Sequence, residues 1–186
     1  MKKLDLVLVF LFYTTVSEAS TLSGHHLGIG LSEYMFTRDL HEQFNNTLGY
    51  TLSYEYTLPF LSQYEPGIGF RAEYYVPEKD GFFNENILFT PELSMLFYNG
   101  LFPLGGTLGM DLNYWKQSKT YIHKEVYHED LLYGLVLGVF SRTSLAPCGH
   151  LEYTVAYHMQ QLSFQSAFFA LGLQYVWDFN RNERSL

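Results

Sequence analysis

Cysteine is nearly absent: Cys148 is the single one among 186 residues. One thiol excludes an intramolecular disulfide framework and a cysteine-rich zinc module. Charge is scarce as well. Asp, Glu, Lys and Arg make up 16% of the chain, against about 25% in an ordinary soluble domain, which is too little for a normal water-facing surface. Cations are scarcest, 11 Lys and Arg against 19 Asp and Glu, for a net charge of -8. Nucleic-acid binding is therefore not expected, because phosphate neutralisation needs a basic patch. Past the N-terminal segment, no stretch reaches the ~18 uninterrupted apolar residues of a membrane helix. Aromatics are what the chain has in plenty: 16 Tyr and 16 Phe bring them to 18%.

The N-terminal segment reads as an address. Lys2 and Lys3 precede an apolar stretch over residues 6–13, and Ser17-Glu18-Ala19 puts small residues at the two positions signal peptidase reads. The stretch is far shorter than the ~20 residues a spanning helix requires, so it reads as a removable secretory signal. The expected organisation is a signal peptide over 1–19, one folded unit over 20–179, and a short polar tail over 180–186.

The remainder alternates in steps of two. Leu48, Tyr50, Leu52, Tyr54, Tyr56 and Leu58 form one face of a strand, and Gly49, Thr51, Ser53, Glu55 and Thr57 form the other. Similar runs surround residues 27–32, 67–76, 92–97, 107–114, 131–139, 151–160 and 171–179, eight in all. Sustained period two predicts an antiparallel all-β chain. A soluble sandwich would show a polar face rich in Lys and Glu. Here that face is Gly, Ser, Thr and a few acids, with Arg71 its one clear cation, while the other face is Leu, Tyr, Phe, Met and Val. Small, sparsely charged residues suit a crowded interior, and the apolar face suits lipid. Closure follows, because an open edge in hydrocarbon leaves backbone groups unpaired. The predicted fold is an eight-stranded antiparallel up-and-down transmembrane β-barrel, whose lumen is nearly filled by side chains. Odd connectors (37–47, 77–86, 116–129, 161–166) would lie outside the cell, and even ones (59–66, 99–105, 141–149) in the periplasm.

The run LGLQYVWDF resembles the C-terminal signature of bacterial outer-membrane β-barrel proteins, in which a terminal aromatic follows apolar residues at every second position. Phe179 takes the place of that aromatic, with Trp177, Tyr175, Leu173 and Leu171 behind it. Together with the signal segment and the eight runs, nearly the whole mature chain is similar to small eight-stranded outer-membrane proteins. The resemblance implies residence in the bacterial outer membrane after export through the periplasm. It also implies outer-membrane lipids, lipopolysaccharide and the barrel assembly machinery as partners, a monomeric state and no cofactor. Aromatics near strand ends are then expected in the headgroup girdles. Tyr34, Phe36, Tyr74, Tyr75, Tyr114 and Trp115 would form the outer girdle, and Phe60, Phe97, Tyr98, Trp177 and Phe179 the inner one.

Inside, the predicted lumen carries Glu55, Glu73, Glu92, Asp111, Glu152 and Asp178 against Arg71 and His158. A guanidinium–carboxylate network of Arg71 with Glu55, Glu73, Glu92 and Asp111 would satisfy groups that are costly to bury unpaired. Six carboxylates against one Arg would call on water, protons or cations for balance. His158, Glu152 and Ser163 are the candidates for a hydrolytic triad. Barrels that deacylate lipid A carry a His-x-Ser-Asn run near their last two strands, whereas this chain reads His158-Met159-Gln160-Gln161. His25, His26, His123 and His128 are dispersed and read as solvated, with no metal site. Glu33 points toward lipid, which calls for a bulge or a strand end above the hydrocarbon. Pro91 also faces lipid and calls for a bulge. Cys148 falls in an inner turn. The favoured function is a structural, adhesive or surface-interaction role carried by the outer loops. A narrow channel for small cations or apolar solutes, and a lipid A-modifying hydrolase, are the alternatives.

Overall fold

The alternation folds as strands. A computed structural model describes residues 24–58, 64–98, 103–118, 126–146, 149–161 and 166–180. The signal segment, Phe60, His123, Cys148, Ser163 and the tail beyond Asn180 lie outside the described residues. Strand β1 (Gly24–Phe36) is followed by helix α1 (Arg38–Gln43), β2 (Thr47–Thr57), β3 (Gly67–Tyr75) and the two-residue β4 (Glu78–Lys79). Then come β5 (Phe82–Tyr98), β6 (Leu104–Ser118), β7 (Val126–Ala146), β8 (Gly149–Gln160) and β9 (Ala167–Asn180). Every pairing is antiparallel; β1 pairs β9 and β3 pairs β5, which closes eight strands into a barrel with β4 as a flap on β5. Gly24 and Asn180 pair at one rim, and α1 stands at the other. We call these the terminal rim and the helical rim.

The apolar face is outside. Leu48, Tyr50 and Leu131 are 68%, 67% and 61% exposed, whereas the inward Asp111 and Thr90 are 0% and 1%. Outward Leu, Ile, Val, Met, Phe and Tyr recur on all eight barrel strands, a continuous apolar belt far larger than any patch a soluble monomer shows to water. No helix among the described residues is long and apolar enough to cross a membrane.

Several strands outrun their sequence boundaries. β5 begins at Phe82, so most of the predicted 77–86 connector is strand, and β6 and β7 pair as far as Ser118 and Val126. Most of the predicted 141–149 connector is strand, β7 running to Ala146, which pairs with Gly149 at the start of β8. Pro91 brings no bulge. Phe89 with Leu112 and Glu92 with Gly109 keep one register, and the shift occurs at Leu96/Tyr98 instead. Nor does a bulge relieve Glu33, which stands exposed and in register between Leu48 and Leu171, close to the helical rim.

The helical rim is tied together by its own loops. Phe44 N–H donates to Leu40 C=O at the end of α1, and Lys79 Nζ donates to the carbonyls of His41 (3.3 Å) and Glu42 (2.5 Å). A cation on the last carbonyls of a helix satisfies acceptors that have no intrahelical donor. It also fastens the α1 connector to β4.

Candidate functional site

The lumen holds three layers. Nearest the terminal rim lies a charged network. Arg71 Nη2 donates to Glu92 Oε1 at 3.3 Å. Arg142 Nε donates to Glu152 Oε2 at 2.8 Å and its Nη2 to Glu55 Oε1 at 3.0 Å. Neutral donors complete the two carboxylates: Gln174 Nε2 reaches Glu152 Oε1 at 2.6 Å and Ser94 Oγ reaches Glu55 Oε2 at 2.5 Å. The Arg142 guanidinium also lies 4.5 Å from the centre of the Phe140 ring. That ring fills the space a side chain at position 105 would need, so Gly105 makes the packing possible. At the rim, His26 Nδ1 lies 2.6 Å and His150 Nδ1 3.3 Å from the two oxygens of Asp178, and Thr57 Oγ1 lies 2.9 Å from His26 Nε2. Glu65, in the connector before β3 with φ 42, belongs to the same end. Burial raises its carboxyl pKa above the ordinary value, opposed by Arg142 and His26. The free space between Arg142, Glu152, Glu92 and Glu55 is about 20 Å³.

The second layer is aromatic. Tyr34 and Tyr75 stack at 3.9 Å and 16°, with Phe168 6.0 Å from each. Phe36 lies 5.8 Å from Phe168 and 6.0 Å from Phe44, which folds in from the end of α1. Tyr34 and Phe168 are both 0% exposed. Gly49 admits the stack, because a Cβ there would lie 2.8 Å from the Tyr34 ring and 2.7 Å from Tyr75 Cβ. Beside it, His158 stacks on Phe168 at 4.6 Å and 7°, and its Nδ1 lies 2.7 Å from Asp111 Oδ2. Asp111 Oδ1 accepts from Thr90 Oγ1 at 2.7 Å.

The third layer is a cleft of about 360 Å³ at the helical rim, between α1 and strands β5 to β8. Carboxamides dominate its lining, among them Asn84, Asn86, Asn113 and Gln160, with Trp115, His128 and Asp130 on the β6–β7 side.

The structure rearranges much of the sequence-level site. Arg71 meets Glu92, but Glu55 pairs with Arg142, and Asp111 pairs with His158 rather than with a guanidinium. Among the described residues, Glu73 accepts a long bond from Thr51 Oγ1, at 3.4 Å. Arg71 is therefore not the single lumen cation. Arg142, which falls in the predicted 141–149 connector, lies on β7 and points inward, and His26, expected to be solvated, is instead a buried partner of Asp178, as is His150. Five of the six inward carboxylates thus face a guanidinium or an imidazole, Glu73 being the exception. Glu152 and His158 sit in different networks, so the two do not form a triad. Tyr34, Phe36 and Tyr75, expected in the outer girdle, fill the lumen instead, and Trp115 lines the mouth. Tyr175, Trp177 and Phe179 do lie on the outward face of β9 with Leu171 and Leu173. Among the described residues no three His, Cys, Asp or Glu side chains converge as a metal site.

Neither a family model nor a curated protein matches this sequence. Solved structures do. Ail, the attachment invasion locus protein of Yersinia pestis, in complex with the heparin analogue sucrose octasulfate, superposes with a TM-score of 0.58 at 16% identity, over 85% of this chain and 100% of that one. Neisserial surface protein A gives 0.55 at 13% identity over 86% and 100%. The N-terminal β-barrel domain of Pseudomonas aeruginosa OprF gives 0.51 at 9% identity over 82% and 97%. At such identities the likeness is one of fold: this chain has the closed eight-stranded architecture of small outer-membrane barrels.

Proposed function

We propose that this chain is a bacterial outer-membrane barrel with a sealed lumen, and that its helical rim faces the outside and serves surface interaction. The observation that carries this reading is the stack of two closures in series, the charged network below and the aromatic layer above. A conduit needs a continuous hydrated path. Here the space inside the charged layer is about 20 Å³, and Tyr34 and Phe168 are wholly buried across the layer above. The hydrolase alternative loses its support, since the His158 ring lies flat on Phe168 beneath the mouth and Glu152 is engaged by Arg142. With transport and hydrolysis disfavoured, the connectors and mouth of the helical rim are left to carry the function. The outward ladder of Leu171, Leu173, Tyr175, Trp177 and Phe179 is the segment offered to the assembly machinery, and the apolar belt is the surface offered to outer-membrane lipid. One structural neighbour was solved with a sulfated ligand; among the described residues the mouth is lined by carboxamides, Asp130 and His128, with no Lys or Arg, so that ligand class is not carried over.

Planar-bilayer recording tests the sealed lumen. Wild-type protein is expected to be silent, and Tyr34→Ala combined with Phe168→Ala to remain silent or leak only slightly, because the charged layer still closes the path. Steady conductance from the wild type would overturn the reading.

A further inference from the structure

The mouth cleft has an unusual chemistry. Its deep residues, Asn84, Asn86 and Asn113, are 8%, 3% and 2% exposed and carry no charge. Their amides are oriented by one another. Asn86 Nδ2 donates to the Asn84 backbone carbonyl at 2.8 Å, which fixes Asn86 Oδ1 as the acceptor for Asn113 Nδ2 at 3.2 Å. A backbone carbonyl cannot donate, so this chain of bonds reads in only one direction. It leaves Asn113 Oδ1 as an acceptor without a protein donor; the Asn84 side-chain amide stands outside that chain, its Oδ1 also unpartnered, and the Trp115 indole N–H is a donor without a protein acceptor. Buried polar atoms are nearly always paired, and these three belong to residues that line one neutral, carboxamide-rich cleft, whose walls therefore carry unused hydrogen-bonding capacity.

We infer that this cleft binds an uncharged saccharide, an inference that rests on the surface-interaction reading and gives it a ligand class. A fitting occupant both donates to amide oxygens and accepts from amide and indole N–H groups. Hydroxyl groups do both, and a sugar ring presents several of them at close spacing. An apolar ligand would leave the three orphans unpaired. An anionic one would meet Asp130 and, among the described lining residues, no Lys or Arg. Trp115, held edge-on to His128 at 5.1 Å, supplies the aromatic wall. A volume of about 360 Å³ falls in the range of about 300–1,000 Å³ typical of small-molecule sites. A saccharide end or a short oligomer suits it better than an extended polymer.

The test uses the full mature chain folded in dodecylphosphocholine, whose headgroup carries no sugar, on an array of neutral, sulfated and sialylated glycans. Trp115 and Trp177 are the two tryptophans, so Trp177→Phe protein then reports binding of each array hit through Trp115 emission. Neutral glycans are expected to bind saturably, with dissociation constants on the order of 0.1–10 mM. Trp115→Phe keeps the ring but loses the N–H, and together with Asn84→Ala it is expected to weaken binding about tenfold or more while heat-modifiable migration on gels stays intact. An array on which only anionic glycans bind, on which nothing binds, or whose neutral hits ignore both substitutions overturns the inference. So does preferential binding of N-acetyl-trialanine amide, which would make the cleft a peptide site. A null array alongside a silent bilayer removes the saccharide and leaves the sealed barrel standing; a conducting wild type removes the sealed barrel.

Discussion

Replacing Arg142 by Met tests whether the charged layer is a fully committed network. The substitution keeps an unbranched chain of similar reach against Phe140 and removes the guanidinium. Glu152 would then retain only Gln174 Nε2, and Glu55 only Ser94 Oγ. Two carboxylates would face each other with their shared cation gone. Breaking a buried pair by removing one partner costs about 3–5 kcal/mol, because a charge is stranded. The side chains of Glu55 and Glu152 are 15% and 7% exposed, so some water reaches them and the lower end applies, about 3 kcal/mol. Loss of the guanidinium–Phe140 contact adds roughly 0.5–1 kcal/mol. Urea titration of the barrel in phosphocholine micelles, followed by tryptophan emission and by the heat-modified gel band, reads the change; about 3 kcal/mol shifts the folding equilibrium by roughly two orders of magnitude. Adding Glu55→Gln and Glu152→Gln to Arg142→Met should recover most of the loss, since neutral replacement of a whole buried network is often tolerated. A loss below about 1 kcal/mol, or a triple variant no better than the single one, would refute the reasoning.

Two further perturbations address the outward face and the terminal rim. Met110 is outward and 57% exposed in the middle of β6, so Met110→Arg should cost about 2–4 kcal/mol in a bilayer; equal stability of the two proteins in lipid would mean that this face does not meet hydrocarbon. Glu65→Gln should stabilise the barrel at neutral pH, by up to about 1 kcal/mol once solvent screening is allowed for. The sign follows from the raised carboxyl pKa: the native state holds the proton more tightly than the unfolded chain, so the wild type gains stability as pH falls through the folded value toward the ordinary 4.5. The advantage of Glu65→Gln should therefore be present above the folded pKa and fade below it, and a pH-independent difference would contradict this.

How far the sequence could be read comes down to parity and boundaries. In β1, β7, β8 and β9 the odd residues face out, and in β2, β3 and β6 the even ones do. That rule alone sends Tyr34, Phe36, Tyr75 and Trp115 inward. They were expected in the girdle because aromatics near strand ends usually serve there, a preference that position along the strand suggests and parity overrides. The same rule places His26 and His150 inside. Arg142 and Phe168 also obey it, but Arg142 lies in Ser141 to Ala146, which lacks the strong apolar alternation that marks a strand in sequence, and Phe168 precedes the alternating run that begins at Leu171. Of the charge pairings, Arg71 with Glu92 on neighbouring strands was legible; those of Arg142, His26, His150 and His158 were not. Glu55 and Arg142 are 87 residues apart, and their meeting depends on the relative stagger of strands on opposite sides of the closed cylinder. The mouth cleft was hidden for the same reason, since its amides come from β5, β6 and β8.

The long sequence separations within the charged layer bear on how the protein reaches its final state. His26 and Asp178 are 152 residues apart, on the first and last strands. A half-assembled sheet would carry bare acids and guanidinium groups with no counterpart, and hydrocarbon penalises each of them heavily. On this cost alone, entry into a bilayer is expected to wait until the two ends of the chain meet. For a barrel closed by such pairings, insertion in a single concerted event is the expected route, rather than strand-by-strand addition.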